Sequence, residues 1–251
     1  MTKSIIKQFS FILLLTGSFN AGAEDARQLI KNAIDHFRGL SSYSEVSMVI
    51  HRPDWERTLD MKIWTRGLDR SLVRITAPVK DRGNGSLLID NDMWTYAPKI
   101  NRIIKIPASM ANQSWMGSDF SNNDVARADD LIEKYNHRIL QTQQQQDIKI
   151  YVIESIPHDD APVVWGKEVI TVREDYILLR HEFFDQDNQL VKYLVADDIK
   201  QFGDKKLATV ERMQKVGVEN EWTEFRLNHI KFNIELGEHA FSLSNLRNPR
   251  F

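Results

Sequence analysis

Between Tyr43 and Phe232 the chain alternates apolar and polar residues again and again. Val46, Met48 and Ile50 alternate with Glu45, Ser47 and His51, and Leu59, Met61 and Ile63 alternate with Thr58, Asp60 and Lys62. A period of two sends successive side chains to opposite faces, so each run is a strand with one face toward a core. The same reading predicts strands over 71–76, 86–89, 93–96 and 99–106. Others follow over 148–153, 165–172, 178–184, 190–195, 207–215 and 222–232. Turns fall at Asp90-Asn91-Asp92, Asp159-Asp160, 185–188 and Gly203-Asp204. Two helical patterns frame the strands. One covers 24–40, with Leu29, Ile30, Ala33, Ile34 and Phe37 on one stripe. The other covers 123–135, with Val125, Ala128, Leu131 and Ile132 apolar and Asn122 or Asn123 as N-cap. Between strands and second helix, 108–123 is polar and irregular yet carries Met110, Trp115, Met116 and Phe120. The glutamines at 143–146 read as a solvated edge or loop. Short connections without a composition break predict one domain over 24–251 with a mainly β (α+β) fold. It is a single large curved antiparallel sheet, curling into an incomplete barrel, with helices as a lid.

The first 23 residues have a different character. Lys3 and Lys7 precede an apolar run over 9–19, and Ala21-Gly22-Ala23 puts small residues at the −3 and −1 positions before Glu24. This order is that of a secretory signal peptide, predicting a mature protein that starts at Glu24 in the periplasm. The chain has no cysteine. That excludes the lipid attachment of a bacterial lipoprotein, thiol nucleophiles, cysteine-held metals and disulfides. No later run reaches the roughly 18 apolar residues of a membrane-spanning helix, so the mature chain is expected to be soluble and unanchored. A formal net charge of −2 lacks the positive field that nucleic acid requires of a partner.

Catalytic and metal-binding patterns are thin. The seven histidines include no pair at ligand spacing. His158-Asp159-Asp160 reads as a polar turn, and Asp90 and Asp92 flank a hairpin without the ligands of a calcium loop. Asp124, Asp129 and Asp130 suit the first turns of a helix. No G-x-S-x-G elbow or phosphate-cradling loop is present. No enzyme, metal or cofactor is expected. A membrane barrel ending at Phe251 is disfavoured by Pro249 and by Lys62, Arg74, Lys167 and Glu224 on the would-be outer faces.

One order of segments is more specific than alternation. The Trp94-Thr95-Tyr96-Ala97-Pro98 segment is followed by Trp115-Met116-Gly117-Ser118-Asp119-Phe120-Ser121 leading into Asp124. Then come Arg180-His181-Glu182-Phe183-Phe184-Asp185 and, at the end, Phe241-Ser242-Leu243-Ser244-Asn245-Leu246. This order resembles the LolA-like family of outer-membrane lipoprotein-sorting proteins over nearly all of 24–251, with Met116 to Ser121 its most specific part. The resemblance is to the broad group rather than to the lipoprotein carrier itself. It implies a half-closed antiparallel barrel with a helical lid over an apolar cavity. It also implies lipid or lipoprotein cargo, an inner-membrane lipid exporter as donor and an outer-membrane acceptor. An acyl chain in water is exposed at about 0.8 kcal/mol per CH₂, so a carrier must enclose it. Met48, Met61, Trp94, Tyr96, Met110, Trp115, Met116 and Phe120 are the flexible or aromatic groups suited to such a cavity or its lid. The alternative for the residues within strands is an ordinary core. Two other functions stay open: a lipid-sensing regulatory or scaffold module on the same fold, and a hydrolase built on an unrecognised carboxylate pair.

Overall fold

A computed structural model describes residues 25–126 and 129–250. The predicted signal peptide at 1–23 lies outside the described residues. Helix α1 (Ala26–Arg38) opens the fold, its N-terminus capped by Asp25, whose carboxylate accepts from the Arg27 N–H at 2.9 Å. Six strands follow: β1 (Ser41–Arg52), β2 (Trp55–Arg66), β3 (Arg70–Ala77), β4 (Gly85–Ile89), β5 (Asp92–Ala97) and β6 (Arg102–Ile106). A crossover with two short helices, α2 (Asn122–Ala126) and α3 (Asp130–Glu133), leads to the second series. That series is β7 (Tyr135–Gln145), β8 (Ile148–Pro157), β9 (Lys167–Arg173), β10 (Leu178–Phe184), β11 (Leu190–Phe202), β12 (Lys205–Lys215) and β13 (Trp222–Phe232). Helix α4 (Leu243–Arg247) ends the chain.

All 13 strands form one antiparallel sheet in the order β6-β5-β4-β3-β2-β1-β13-β12-β11-β10-β9-β8-β7. Two meanders therefore run outward from a central pair, β1 against β13. The ladder shifts register at Glu45/Val46, Asp60/Met61 and Leu178/Arg180, and such bulges bend a strand and increase its twist. The sheet stays open, because β6 and β7 are its two edges and do not pair. Those edge strands are consecutive in sequence. The segment that joins them, 107–134, must run from one edge to the other across a face of the sheet. At about 3.3 Å per extended residue it has the reach to cross strands about 4.8 Å apart.

The crossover divides the sheet into an inner face, which it covers, and an outer face. On the inner face α1 buries Leu29, Ile30 and Ala33 against Tyr151, Ile153, Ile170 and Val172 at the β8–β9 end. In the middle, Trp115 of the crossover packs with Met48, Ile50, Leu59, Met61, Ile75 and Met93. Phe120 joins Phe183, Leu194, Ala208 and Met213 of β10–β12. The outer face is covered at β2–β5, where Phe241 and Leu246 bury Trp64, Leu72, Leu87 and Tyr96. Arg74 holds this cover down, donating to the carbonyls of Gly83 at 2.7 Å, Asn245 at 3.2 Å and Leu246. Burial lowers its pKa. Glu224, also on the outer face, is buried between Arg212 and Arg226.

One sequence expectation needs correction, and the reading of the glutamine run as a solvated edge or loop holds. The second helix is two short pieces, and the residues after it form strand β7, which was not predicted. The glutamine run at 143–146 is the end of that edge strand together with its turn. Gln146 and Asp147 both take positive φ, 47° and 65°, the backbone of a tight two-residue hairpin. Glutamine is not a residue that advertises such a turn, and β7 alternates only up to Ile139, residues 140–145 all being exposed at the open edge.

Candidate functional site

The crossover does not fill the space beneath it. Between it and the inner face lies a cavity of about 250 Å³. Val46, Ile63, Val73, Leu88, Phe225 and Leu227 supply the sheet wall, and Trp115, Phe120 and Val125 form the roof. Phe37 and Arg38 of α1 also reach it. Phe37 is 41% exposed, so this end of the cavity opens to solvent. Hydroxyls of Ser42, Ser44, Thr65 and Ser71 line the same end. Arg38 donates to the Gly67 carbonyl at 3.0 Å, and burial lowers its pKa.

The roof is tied down by polar contacts. Asp119 accepts from Arg52 Nη1 at 3.0 Å and Nη2 at 3.1 Å, and from Thr223 Oγ1 at 2.7 Å. Its carboxylate is 2% exposed, which makes this a buried, two-pronged ion pair. Asp124 at the start of α2 accepts from the Ser121 N–H at 2.7 Å and pairs with Lys192 of β11, both side chains being buried. Trp115 Nε1 donates to Ser86 Oγ at 3.1 Å, and the Trp115 N–H donates to the Phe120 carbonyl at 2.8 Å. The tight reversal between those aromatics passes through Met116 and Gly117 at φ 53° and 81°. A Cβ on Gly117 would touch nothing within 4 Å, so the left-handed backbone is the reason for glycine there.

The eight residues chosen from sequence divide by position. Trp115 and Phe120 line the cavity. They are also 4% and 6% exposed, so the roof is core as well as lid. Asn112, Gln113, Ser114 and Gly117 do stay exposed, whereas Ser118 is buried, donating to the Trp115 carbonyl at 2.7 Å. Met48 and Met61 are fully buried behind the cavity wall, packed on Trp115. Met116 is half-buried against the same cluster, and Met110 is half-buried in a one-turn segment whose carbonyl accepts from Asn122 at 3.0 Å. Trp94 and Tyr96 lie on the outer face, near Leu243 and Leu246, and do not reach the cavity. Their placement in the cavity is corrected: alternation fixes that Trp94 and Tyr96 share a face, not which face is inward. On β5 it is Met93 that points in.

Sequence reasoning also missed Glu211 of β12, which lines the cavity. Burial raises its carboxyl to about 7. The signal was there, because Glu211 sits in alternation with Thr209 and Met213, both buried. The other buried titratable pair on this side, His181 and Glu168 at 2.5 Å, is self-satisfied and lies outside the cavity wall. Among the described residues no group of three or more His, Asp or Glu is placed to hold a metal ion.

An open antiparallel sheet crossed on one face by a helical segment over an apolar cavity defines a LolA-like fold. A family model described as "uncharacterized protein" matches residues 67–248, and the chain belongs to that family. Three solved structures share the architecture. A DUF1329 family protein from Desulfovibrio piger is 24% identical, with a TM-score of 0.78 over 89% of this chain and 100% of its own. A Vibrio parahaemolyticus domain named for outer membrane lipoprotein sorting is 23% identical, with a TM-score of 0.77 over 88% and 98%. A LolA superfamily protein from Nitrosomonas europaea is 21% identical, with a TM-score of 0.73 over 88% and 99%. No curated protein matches the chain.

Proposed function

We propose that this protein is a soluble periplasmic carrier that encloses acyl chains of lipids or lipoproteins beneath its crossover. It would hand them between an inner-membrane exporter and an outer-membrane acceptor. The observation that carries this reading is the cavity of about 250 Å³, walled by inward-facing aliphatic residues and roofed by Trp115 and Phe120. A gap of that size inside an otherwise packed protein forfeits contacts that a fuller core would make. An apolar guest recovers them, and the open end at Phe37 gives it a way in. The fold shared with the Vibrio parahaemolyticus domain named for outer membrane lipoprotein sorting supports the same reading.

The test is direct. Lipid extraction and mass spectrometry of protein purified from its native periplasm should recover an acyl-chain compound. Leu227→Trp, which adds bulk to the cavity wall, should abolish that recovery while the circular dichroism spectrum stays native. A folded Leu227→Trp protein that retains the same lipid would overturn the assignment of the cavity.

A further inference from the structure

Glu211 is the charged residue that the strands themselves place on the cavity wall, among aliphatic and aromatic groups and a few hydroxyls. Its cross-strand neighbours are Ala196 on β11 and Phe225 on β13. No described residue offers its carboxylate a hydrogen bond or an ion pair. The nearby cations are engaged elsewhere. Lys192 is held by Asp124, and Arg38 donates to the carbonyls of Gly67 and Arg70. Burial is the main influence on the Glu211 carboxyl, and His181 on β10 is bonded to Glu168. A carboxyl facing an apolar space with no partner is costly to keep, and such groups in clefts mark functional sites.

What surrounds it selects the partner. Phe225 meets Phe120 edge-on at 4.7 Å between ring centres and lies 6.3 Å from Trp115. All three rings line the cavity with Glu211. Aromatic faces grouped beside a carboxylate are the chemistry that recognises an ammonium ion: the rings attract it through their quadrupoles and the carboxylate neutralises it. The cavity volume falls just under the roughly 300–1,000 Å³ of ordinary ligand sites, which suits one chain rather than two.

We propose that Glu211, Trp115, Phe120 and Phe225 form a subsite for the ammonium head of a single-chain amphiphile whose tail occupies the rest of the cavity. The proposal rests on the reading that this cavity takes apolar chains. It adds the head group that the cavity prefers.

Displacement of the uncharged dye Nile red from the purified protein tests both parts separately. Decanol, decylamine and decanoate are compared at about pH 8, above the Glu211 pKa. Decylamine is expected to bind roughly tenfold or more tighter than decanol, the scale of a desolvated charge pair, with decanoate weakest. Glu211→Gln should erase the preference for the amine and leave decanol affinity unchanged. That variant removes a buried charge, so it folds. Phe225→Leu, which keeps an apolar side chain but removes the ring, should reduce the preference severalfold. A lysophosphatidylethanolamine arm separates a free amine from a phospholipid head as the source of the ammonium, and tighter binding of either than of decanol supports the subsite. Equal binding of amine and alcohol, or an amine preference that survives in Glu211→Gln, would overturn the subsite while the cavity reading stands. Displacement by none of the ligands would overturn both.

Discussion

An unpartnered carboxyl makes stability depend on pH in a defined direction. Glu211 titrates at about 7 in the folded protein, against an ordinary value of 4.5. Between those values the unfolded chain has released its proton and the folded chain still holds it. The folded state binds more protons, so its stability falls as pH rises through this window. Glu211→Gln should therefore be neutral near pH 4 and stabilising near pH 8, by up to roughly 3 kcal/mol. Urea melts at the two values would check this, and an equal effect at both would refute it. Trp115 makes the opposite case, a roof residue that is also core. Trp115→Ala should cost about 3–5 kcal/mol, as for other buried aromatics, and denaturant melts would show it. Neither residue's role could be read fully from sequence. Trp115 sits in a polar, irregular stretch where exposure was the natural expectation. Glu211 sits on a buried parity, but its lack of a partner depends on strands distant in the chain.

The crossover is the element that makes the cavity, and two buried ion pairs hold it to the sheet. Asp119→Ala would take from Arg52 its two-pronged carboxylate, leaving it the His51 and Trp222 carbonyls and Glu221, and would remove the acceptor of the Thr223 hydroxyl. Breaking a buried pair from one side costs about 3–5 kcal/mol. Part of that loss is expected to be local: hydrogen exchange over 111–126 should accelerate more than exchange in β1 or β13. Uniform acceleration across the protein would show that the crossover opens only with global unfolding. Helix α1 was legible because one stripe of Leu29, Ile30 and Ala33 repeats at helical spacing. Strand β7 was not, because an edge strand with glutamines on a wet face carries almost no alternation.

At the scale of the molecule, one topological fact organises the rest. The first meander starts at the centre of the sheet and finishes at one edge, and the second begins at the other edge and returns to the centre. Open edges leave the outward amides of β6 and β7 without partners in the sheet, whereas β1 and β13 are paired on both sides. Amide exchange in β6 and β7 should be fast, and in the β1–β13 pair slowest. Equal protection of all four strands would indicate a closed barrel and contradict the strand order.

Alternation, turn residues and two apolar stripes were enough to determine that this chain forms a broad antiparallel sheet with helices on it. These are properties of neighbours within a few residues, and local geometry enforces them through the pleat and the helical repeat. The tertiary structure alone decided which face of each strand looks inward, which strands stand at the edges and which side chains meet across the cavity. Trp94 and Met93 are adjacent in sequence and lie on opposite faces, and only the path of 107–134 chooses between them. Glu211 and Phe225 come together through the pairing of β12 with β13, and Trp115 and Phe120 join them from a crossover about a hundred residues away. Such meetings depend on long-range packing, where the energy is shared by many residues and no short segment carries its signature.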